Sequence, residues 1–484
     1  MASPVILAPN GRPAIRAEYD ATDTSKGKRK APRVSRGFED RELSASPRKQ
    51  LQATVADQRR NFAIIQWMVD SHLDYVASFS FQSRTRDRGL GKEFEALMAD
   101  WSRPRNCHLG KRHSLKRLMR IVETLRVVDG DCLVNRTDTG RVQIVEGNRI
   151  CTPSYAATGE QLPTNMVHGV EYDPVTMEAI RYAVSDRRDL GQTLEFRGWV
   201  PATFSDLPGY FWREDQIRGI SPLASAVNMA QDLYEALDFT TQKLKLHALL
   251  GVFFKRAAVA DIGGELGSVD ANTDTSPDAD TTSYKVPVKG LLKIEGEPGD
   301  SVEMLESHTP SNEFQAFTES MVRIIMAALG IPYGFFDNRG VNYSGGRLDL
   351  TRYQLSVSQK RDDLVSVLDN IARWKAAFWV RTGALRLPRG MTFEDLRWDW
   401  VPASLAWIDP LAERQGAVLG CATAMDSPIA ITRGAGGDIF DNIDDMKEVN
   451  DYAQERGVTL AYSLAPNLAA GALAPSQSRT QEGQ

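Results

Sequence analysis

Across 484 residues the sequence carries only four cysteines, Cys107, Cys132, Cys151 and Cys421, and no Cys-x-x-Cys pair. Thiols this sparse and unpaired read as the reduced cysteines of a cytosolic protein, not as a disulfide framework. Long apolar runs are also missing. The best stretch, around 244–254, is interrupted by Lys245 and His247, so no bilayer span and no membrane partner are expected. The N-terminus lacks a charged segment followed by an apolar one, so no secretory leader is expected. Positive charge is in slight deficit, with 58 Lys and Arg against 63 Asp and Glu, a net charge of −5. Such a chain does not grip nucleic acid along its whole surface.

Catalytic signatures are absent as well. Gly27-Lys28 has Thr22 where a phosphate-binding loop needs its first glycine, so nothing would cradle a triphosphate. There is no His-Glu-x-x-His. Asn342 stands at the first-glycine position before Tyr343-Ser344-Gly345-Gly346, which spoils a nucleophile elbow. The run from Asp270 to Asp274 starts like a calcium loop, but Thr275 replaces the turn glycine and Thr281 the bidentate glutamate. Cys107, His108 and His113 lie close together without a second ligand cluster and read as a part-buried thiol beside surface imidazoles. Asp441, Asp444, Asp445 and Glu448 fall at helical spacing and read as a solvated face, not a nuclease centre. No catalytic residue, metal or cofactor is therefore expected, and the chain reads as a non-enzyme.

What is present is an α+β chain with three long helices. Residues 1–55 form a Ser, Pro, Arg and Lys-rich segment expected to be a disordered basic tail. Its run Lys26-Gly27-Lys28-Arg29-Lys30, with Arg33 and Arg36, either touches nucleic acid or is simply solvated. Over 56–220 helical periodicity (Phe62, Ile65, Met68; Leu115, Leu118, Ile121, Leu125) mixes with short β-like runs at 131–135, 142–145 and 180–184. Ser221-Pro222 opens a helix over 221–250, serine capping and proline sitting where its missing N–H costs nothing. Residues 251–312 return to strand-and-turn character around an acidic, flexible insert at 258–284. A second helix is expected over 313–330, a polar loop over 331–345, and a long helix with a return strand over 346–405. A helical section at 406–460 and a loose tail at 461–484 complete the chain.

Several blocks, in order, carry a resemblance. They are Gly130-Asp131-Cys132-Leu133-Val134, His168-Gly169-Val170-Glu171-Tyr172-Asp173 and Gln216-Ile217-Arg218-Gly219-Ile220-Ser221-Pro222. Leu329-Gly330-Ile331-Pro332-Tyr333, Asn342-Tyr343-Ser344-Gly345-Gly346-Arg347 and Trp407-Ile408-Asp409-Pro410-Leu411 follow. Over roughly residues 58–460 this series resembles the lambda-type portal proteins of tailed bacteriophages. Gly345 departs from the family's usual Tyr-Ser-Ser-small-Arg and implies a looser helix start.

The resemblance implies a portal fold: an α/β wing at 56–220, a two-helix stem at 221–250 and 313–330, and a small β-rich clip at 251–312. A wing-spanning helix and a helical crown follow. It implies a homo-oligomeric ring, usually of twelve subunits, at one capsid vertex of the virion, assembled in the host cytoplasm beside major capsid and scaffold proteins. Double-stranded DNA would pass through it without sequence preference, in packaging and in ejection. The clip would dock the terminase large subunit and later a head–tail connector, with Asp270, Asp274, Asp278 and Asp280 of the acidic insert as the docking surface. The loop at 331–345 would project into the channel, offering Asp337, Asn338, Arg339, Gly340, Asn342 and Tyr343 to DNA. Arg339 would either touch DNA or act as a local strut to Asp337 or Asp349. Two other readings remain from the residues alone: another structural head or connector protein, or a metal-dependent DNA-processing enzyme.

Overall fold

The computed structural model describes residue 40 and residues 43–159, 161–188, 193–249, 253–256, 300–303, 312–339, 342–403, 410–458 and 460. Ordered chain begins before the boundary expected at residue 55. Helix α1, Ala45–Asn61, contradicts a disordered tail over its span, and Asp40 ahead of it is buried. Hydropathy misses α1 because its inward face is polar: Arg48, Gln52 and Gln58 donate to the backbone carbonyls of Gly219, Asp129 and Val227 at 2.8, 2.8 and 2.9 Å. Buried side-chain donors matched to orphan carbonyls fix position as well as apolar packing does.

Helix α2, Ala63–Val76, strand β1, Phe79–Ser83, and helix α3, Arg88–Trp101, follow, and then α4, Leu115–Asp129. Asp87 and Ser114 cap α3 and α4 by accepting from Leu90 and Arg117 backbone N–H groups. Strands β2, Cys132–Arg136, and β3, Val142–Glu146, form an antiparallel hairpin. A second sheet is built from β4, Met166–Val167, β5, Val170–Tyr172, β6, Ala179–Arg188, and β7, Thr193–Pro201, antiparallel and in that order. Strand β8, Ser205–Asp206, returns to pair with β2.

The lead-in to the next helix differs from expectation in its first turn. Pro222–Ser225 is 3-10, with Ser221 Oγ accepting from Leu223 N–H, and the α-helix proper, α5, runs Val227–Leu249. Strands β9, Phe253–Arg256, and β10, Asp300–Glu303, pair antiparallel. Helix α6 is Asn312–Ala327 and packs against α5. Helix α7, Tyr343–Thr382, is 40 residues long, about 60 Å at 1.5 Å per residue. Strand β11, Trp398–Pro402, pairs with β1. Helices α8, Pro410–Ala422, α9, Pro428–Gly434, and α10, Ile439–Glu455, make up the C-terminal section.

One apolar core joins α1 through α7, with Phe94, Met98, Leu118, Leu233, Ile325 and Leu364 among its buried side chains. A smaller core under the second sheet holds Leu133, Val145, Ile150, Val170, Tyr182 and Val184. Helix α7 enters the main core only from Tyr353 onward; ahead of that point Leu348 is exposed.

Candidate functional site

The candidate site is the loop between α6 and α7. Helix α6 stops in a left-handed C-cap. Gly330 has φ +71°, its N–H bonds Ala327 O at 3.0 Å, and Ile331 N–H reaches back to Met326 O at 3.2 Å. That pair of bonds is a Schellman stop, and Ile331 buries itself behind it. A β-carbon at Gly330 would lie 3.1 Å from Ser356 Oγ on α7, so the stop also sets how closely the two helices approach.

Pro332 then leads into a 3-10 turn, Tyr333–Phe335, whose rings fasten the loop's base. Phe335 stacks on Tyr75 of α2 at 5.6 Å and meets Tyr353 of α7 edge-on at 5.3 Å. Phe336 meets Trp67 edge-on at 5.2 Å, and the Arg323 guanidinium lies 4.6 Å over Tyr333. Arranged this way, each aromatic pair contributes about 0.5–1.5 kcal/mol beyond its buried area.

Beyond this base the loop is polar. Arg339 N–H and Nε donate to Asp337 Oδ1 at 3.0 Å each, and Nη2 donates to Oδ2 at 2.7 Å. These hydrogen bonds pull the Asp337 carboxyl down to about 2. The Asp337 side chain is 17% exposed and that of Arg339 85% exposed, so the arginine is bound at one edge and open to solvent at the other. The pairing with Asp337 that a strut would use is present, while the arginine's open edge leaves the other expected role, contact with DNA, equally available. Asn338 is exposed beside it, Gly340 lies outside the described residues, and Tyr343 is the first residue of α7. Asn342 caps α7, its Oδ1 accepting from Gly345 N–H at 2.7 Å. Gly345 thus sits inside a capped first turn, and the helix starts at Tyr343, three residues before the expected boundary. The clip carboxylates Asp270, Asp274, Asp278 and Asp280 lie outside the described residues.

The body holds two buried charged clusters that the sequence pattern does not disclose, the first reached from the loop through Tyr353. In the first, His72 Nε2 donates to Glu123 Oε1 at 2.9 Å, Tyr210 OH donates to the same oxygen at 2.7 Å, and Arg126 Nη1 donates to Oε2 at 2.8 Å. Burial pushes the Glu123 carboxyl up, but Arg126 and the His72 bond outweigh it and hold it below its usual value. Burial also lowers His72, which stays neutral while its Nδ1 lies 3.4 Å from Tyr353 OH. Lys360 of α7 donates to Leu329 O at 2.8 Å, and Arg361 Nε to Tyr75 O at 2.7 Å. The loop's two flanks and α2 are thereby bolted to one another.

The second cluster fixes the root of α5. Arg218 Nε and Nη2 donate to the two oxygens of Asp131 at 2.7 Å each, and its remaining bonds go to the carbonyls of Ile150, His168 and Gly147. Asp131 also accepts from Gly219 N–H at 2.8 Å. Both residues belong to blocks that carry the family resemblance. The signal that joins them is a lone acid and a lone arginine, each beside a glycine.

Elsewhere, Asp441 and Asp444 of the acidic C-terminal face pair with Lys92 at 3.6 and 3.0 Å. No helix among the described residues is long and apolar enough to cross a membrane.

Residues 26–361 match the profile described as "Phage portal protein, lambda family". A "Probable portal protein" of Halomonas phage phiHAP-1 is 24% identical over 413 residues, covering 78% of this chain and 74% of that protein. Among solved structures, a chain from "Neck of empty GTA particle computed with C6 symmetry" is similar with a TM-score of 0.47. Identity is 14%, and the match covers 78% of this chain and 90% of that one. A chain from "Neck of native GTA particle computed with C12 symmetry" is similar at TM-score 0.43 and 14% identity, over 81% and 98% of the two chains.

Proposed function

Because this chain belongs to the lambda family of phage portal proteins, we propose that its copies close into a ring, of twelve subunits, at one vertex of a virion, and that double-stranded DNA passes through the ring during packaging and ejection. The observation that carries the ring is the surplus of uncovered apolar side chains on α5 and α6. Tyr234, Phe239, Phe317 and Ile324 remain exposed although the two helices already pack on each other and on the core. Neighbouring copies would cover these faces, each setting this patch against a different surface of the next in a closed heterologous ring.

In this reading α5 and α6 form the stem, β9 and β10 belong to the clip, α7 crosses the wing, and α8 to α10 form the crown. The loop of 331–345 faces the channel. Asp337 cancels much of the charge of Arg339, so a belt of these pairs would offer DNA weak, sequence-blind contacts instead of a tight cationic grip. The acidic insert of 258–284 would serve as the docking surface for the terminase large subunit and then a head–tail connector. Major capsid and scaffold proteins would surround the ring.

Electron microscopy of the purified protein tests this. Ring-shaped top views with a central hole wide enough for duplex DNA are expected. Closed dimers without a channel would overturn the reading.

A further inference from the structure

In an acidic chain, one surface is strongly basic. Between residues 101 and 120 there are seven Lys and Arg and no Asp or Glu. The stretch folds into a compact knuckle. Leu115 N–H bonds Ser102 O at 3.0 Å and closes the loop, while Cys107, fully buried, donates its thiol to Ser102 O and His113 O. His108 Nδ1 accepts from the backbone N–H groups of Arg112 and His113, and the two imidazoles stack at 5.0 Å. With its inside filled this way, the knuckle turns its long cationic side chains outward.

Two of the seven cations are spoken for: Arg103 pairs with Asp100 at 3.2 Å, and Arg120 with Asp74 at 2.8 Å. The other five, Arg105, Lys111, Arg112, Lys116 and Arg117, are exposed, and none forms an ion pair among the described residues. Two details run against stability. Lys111 holds φ +55°, a backbone conformation that suits glycine or asparagine. Lys116 and Arg117 occupy the first turn of α4, where the helix dipole is already positive and acidic residues are the stabilising choice. Charge kept where folding does not favour it points to an external anion.

The chemistry of the surface selects the kind of anion. No large hydrophobic side chain is exposed among the described residues before Tyr155, so the knuckle has no apolar anchor of the sort protein interfaces use. Irregularly spaced cations without an apolar centre match a phosphodiester backbone read without regard to sequence.

We propose that the 103–117 knuckle is a second DNA-contact surface, outside the channel loop, which holds duplex DNA by its phosphates. The inference rests on the portal reading only for the presence of duplex DNA around the assembly. It is tested with full-length protein and a fluorescent, covalently closed DNA minicircle, which cannot thread a ring. Ring formation is read by microscopy in the same sample, so failure of the ring and failure of the knuckle are separate results. The variant Arg105→Gln, Lys111→Asn, Arg112→Gln, Lys116→Gln, Arg117→Gln is expected to bind the minicircle about tenfold or more weakly at about 100 mM NaCl. Its salt dependence should be shallower by about 0.9 for each phosphate that the variant no longer neutralises. The smaller Lys111→Asn, Arg112→Gln pair should weaken binding less, in the same direction, and serves should the full variant not fold. Equal affinity and equal salt slope in variant and wild type would overturn the proposal. So would displacement of the minicircle by polyglutamate at equal charge concentration, which would point to an acidic protein segment instead.

Discussion

Arg218 and Asp131, 87 residues apart in sequence, meet as a fully buried two-pronged ion pair with both nitrogen–oxygen distances at 2.7 Å. Backbone carbonyls and an N–H group complete the bonding of the two side chains, and the glycines beside them touch. A β-carbon at Gly219 would lie 2.2 Å from Gly130 O, and one at Gly130, which has φ +96°, 2.5 Å from Gly219 O. The strand after α4 and the lead-in to α5 are thus joined both by charge and by bare backbone contact.

Breaking that pair from one side leaves a buried charge without compensation. Arg218→Met and Asp131→Ala are each expected to cost about 3–5 kcal/mol, read as a fall in urea midpoint. Gly219→Ala should be at least as damaging, because its clash is with backbone that has no room to move. Burial pushes the Asp131 carboxyl up, but Arg218 outweighs burial and holds it below the ordinary value. Its contribution is therefore complete above the unfolded carboxylate range and fades only as pH falls through its depressed folded value.

Asp129, two residues away, has the opposite sign. Burial, then the nearby Glu146 and Asp131 carboxylates, push it up to about 7. A raised carboxyl favours the folded state when protonated, so stability is expected to fall as pH rises from about 4 to about 7, by up to about 4 kcal/mol at 1.36 kcal/mol per unit. Asp129→Asn should flatten that stretch of a melting-temperature profile and raise the melting temperature at alkaline pH. A profile indistinguishable from wild type would show that Asp129 is ionised without penalty.

Arg339→Ala removes the open half of the Asp337 pair and leaves the aromatic base of the loop untouched. Rings are expected to assemble with unchanged melting temperature while DNA packaged per particle falls. Loss of the rings themselves would make Arg339 a strut and nothing more.

The C-terminal helices α9 and α10 are attached to the body mainly by charge. Arg433 of α9 pairs with Asp399. At α10, Arg88 pairs with Asp444, Lys92 with Asp441 and Asp444, and Arg84 with Asp438, while Ala453 is the one buried side chain described in the two helices. The Arg88 and Lys92 pairs, half exposed, are screened once the Debye length drops from about 10 Å at 0.1 M salt to about 3 Å at 1 M, while the more buried Arg84–Asp438 pair is screened less. Amide exchange in residues 428–455 should accelerate with added NaCl while exchange in α4 stays constant.

Helix positions were legible because apolar residues recur at helical spacing, as Leu364, Val367, Leu368 and Ile371 do in α7. So was the stop at Gly330, where glycine precedes Ile331-Pro332. Helix α1 was not, because its inward residues Arg48, Gln52 and Gln58 hold their place by hydrogen bonds that hydropathy does not register. Around the loop, the polar character of Asp337, Asn338, Arg339 and Asn342 was legible in the sequence. The Glu123, His72 and Arg126 cluster behind it was not, since charged residues scattered through amphipathic helices look solvated until the packing that buries them is known.

The clamp at Arg218 and Asp131 makes α5 a cantilever. Its root is gripped by charge, by glycine contact and by the burial of Ala230 and Leu233 in the core. The stretch from Tyr234 to Leu249, with α6 packed beside the helix, extends about 24 Å from that grip. A tilt of about 5° at that point displaces the far end by about 2 Å, so small strain in the body arrives at the tip as a movement comparable to a side-chain contact. Whatever presses on that tip acts back on the clamp with the same leverage.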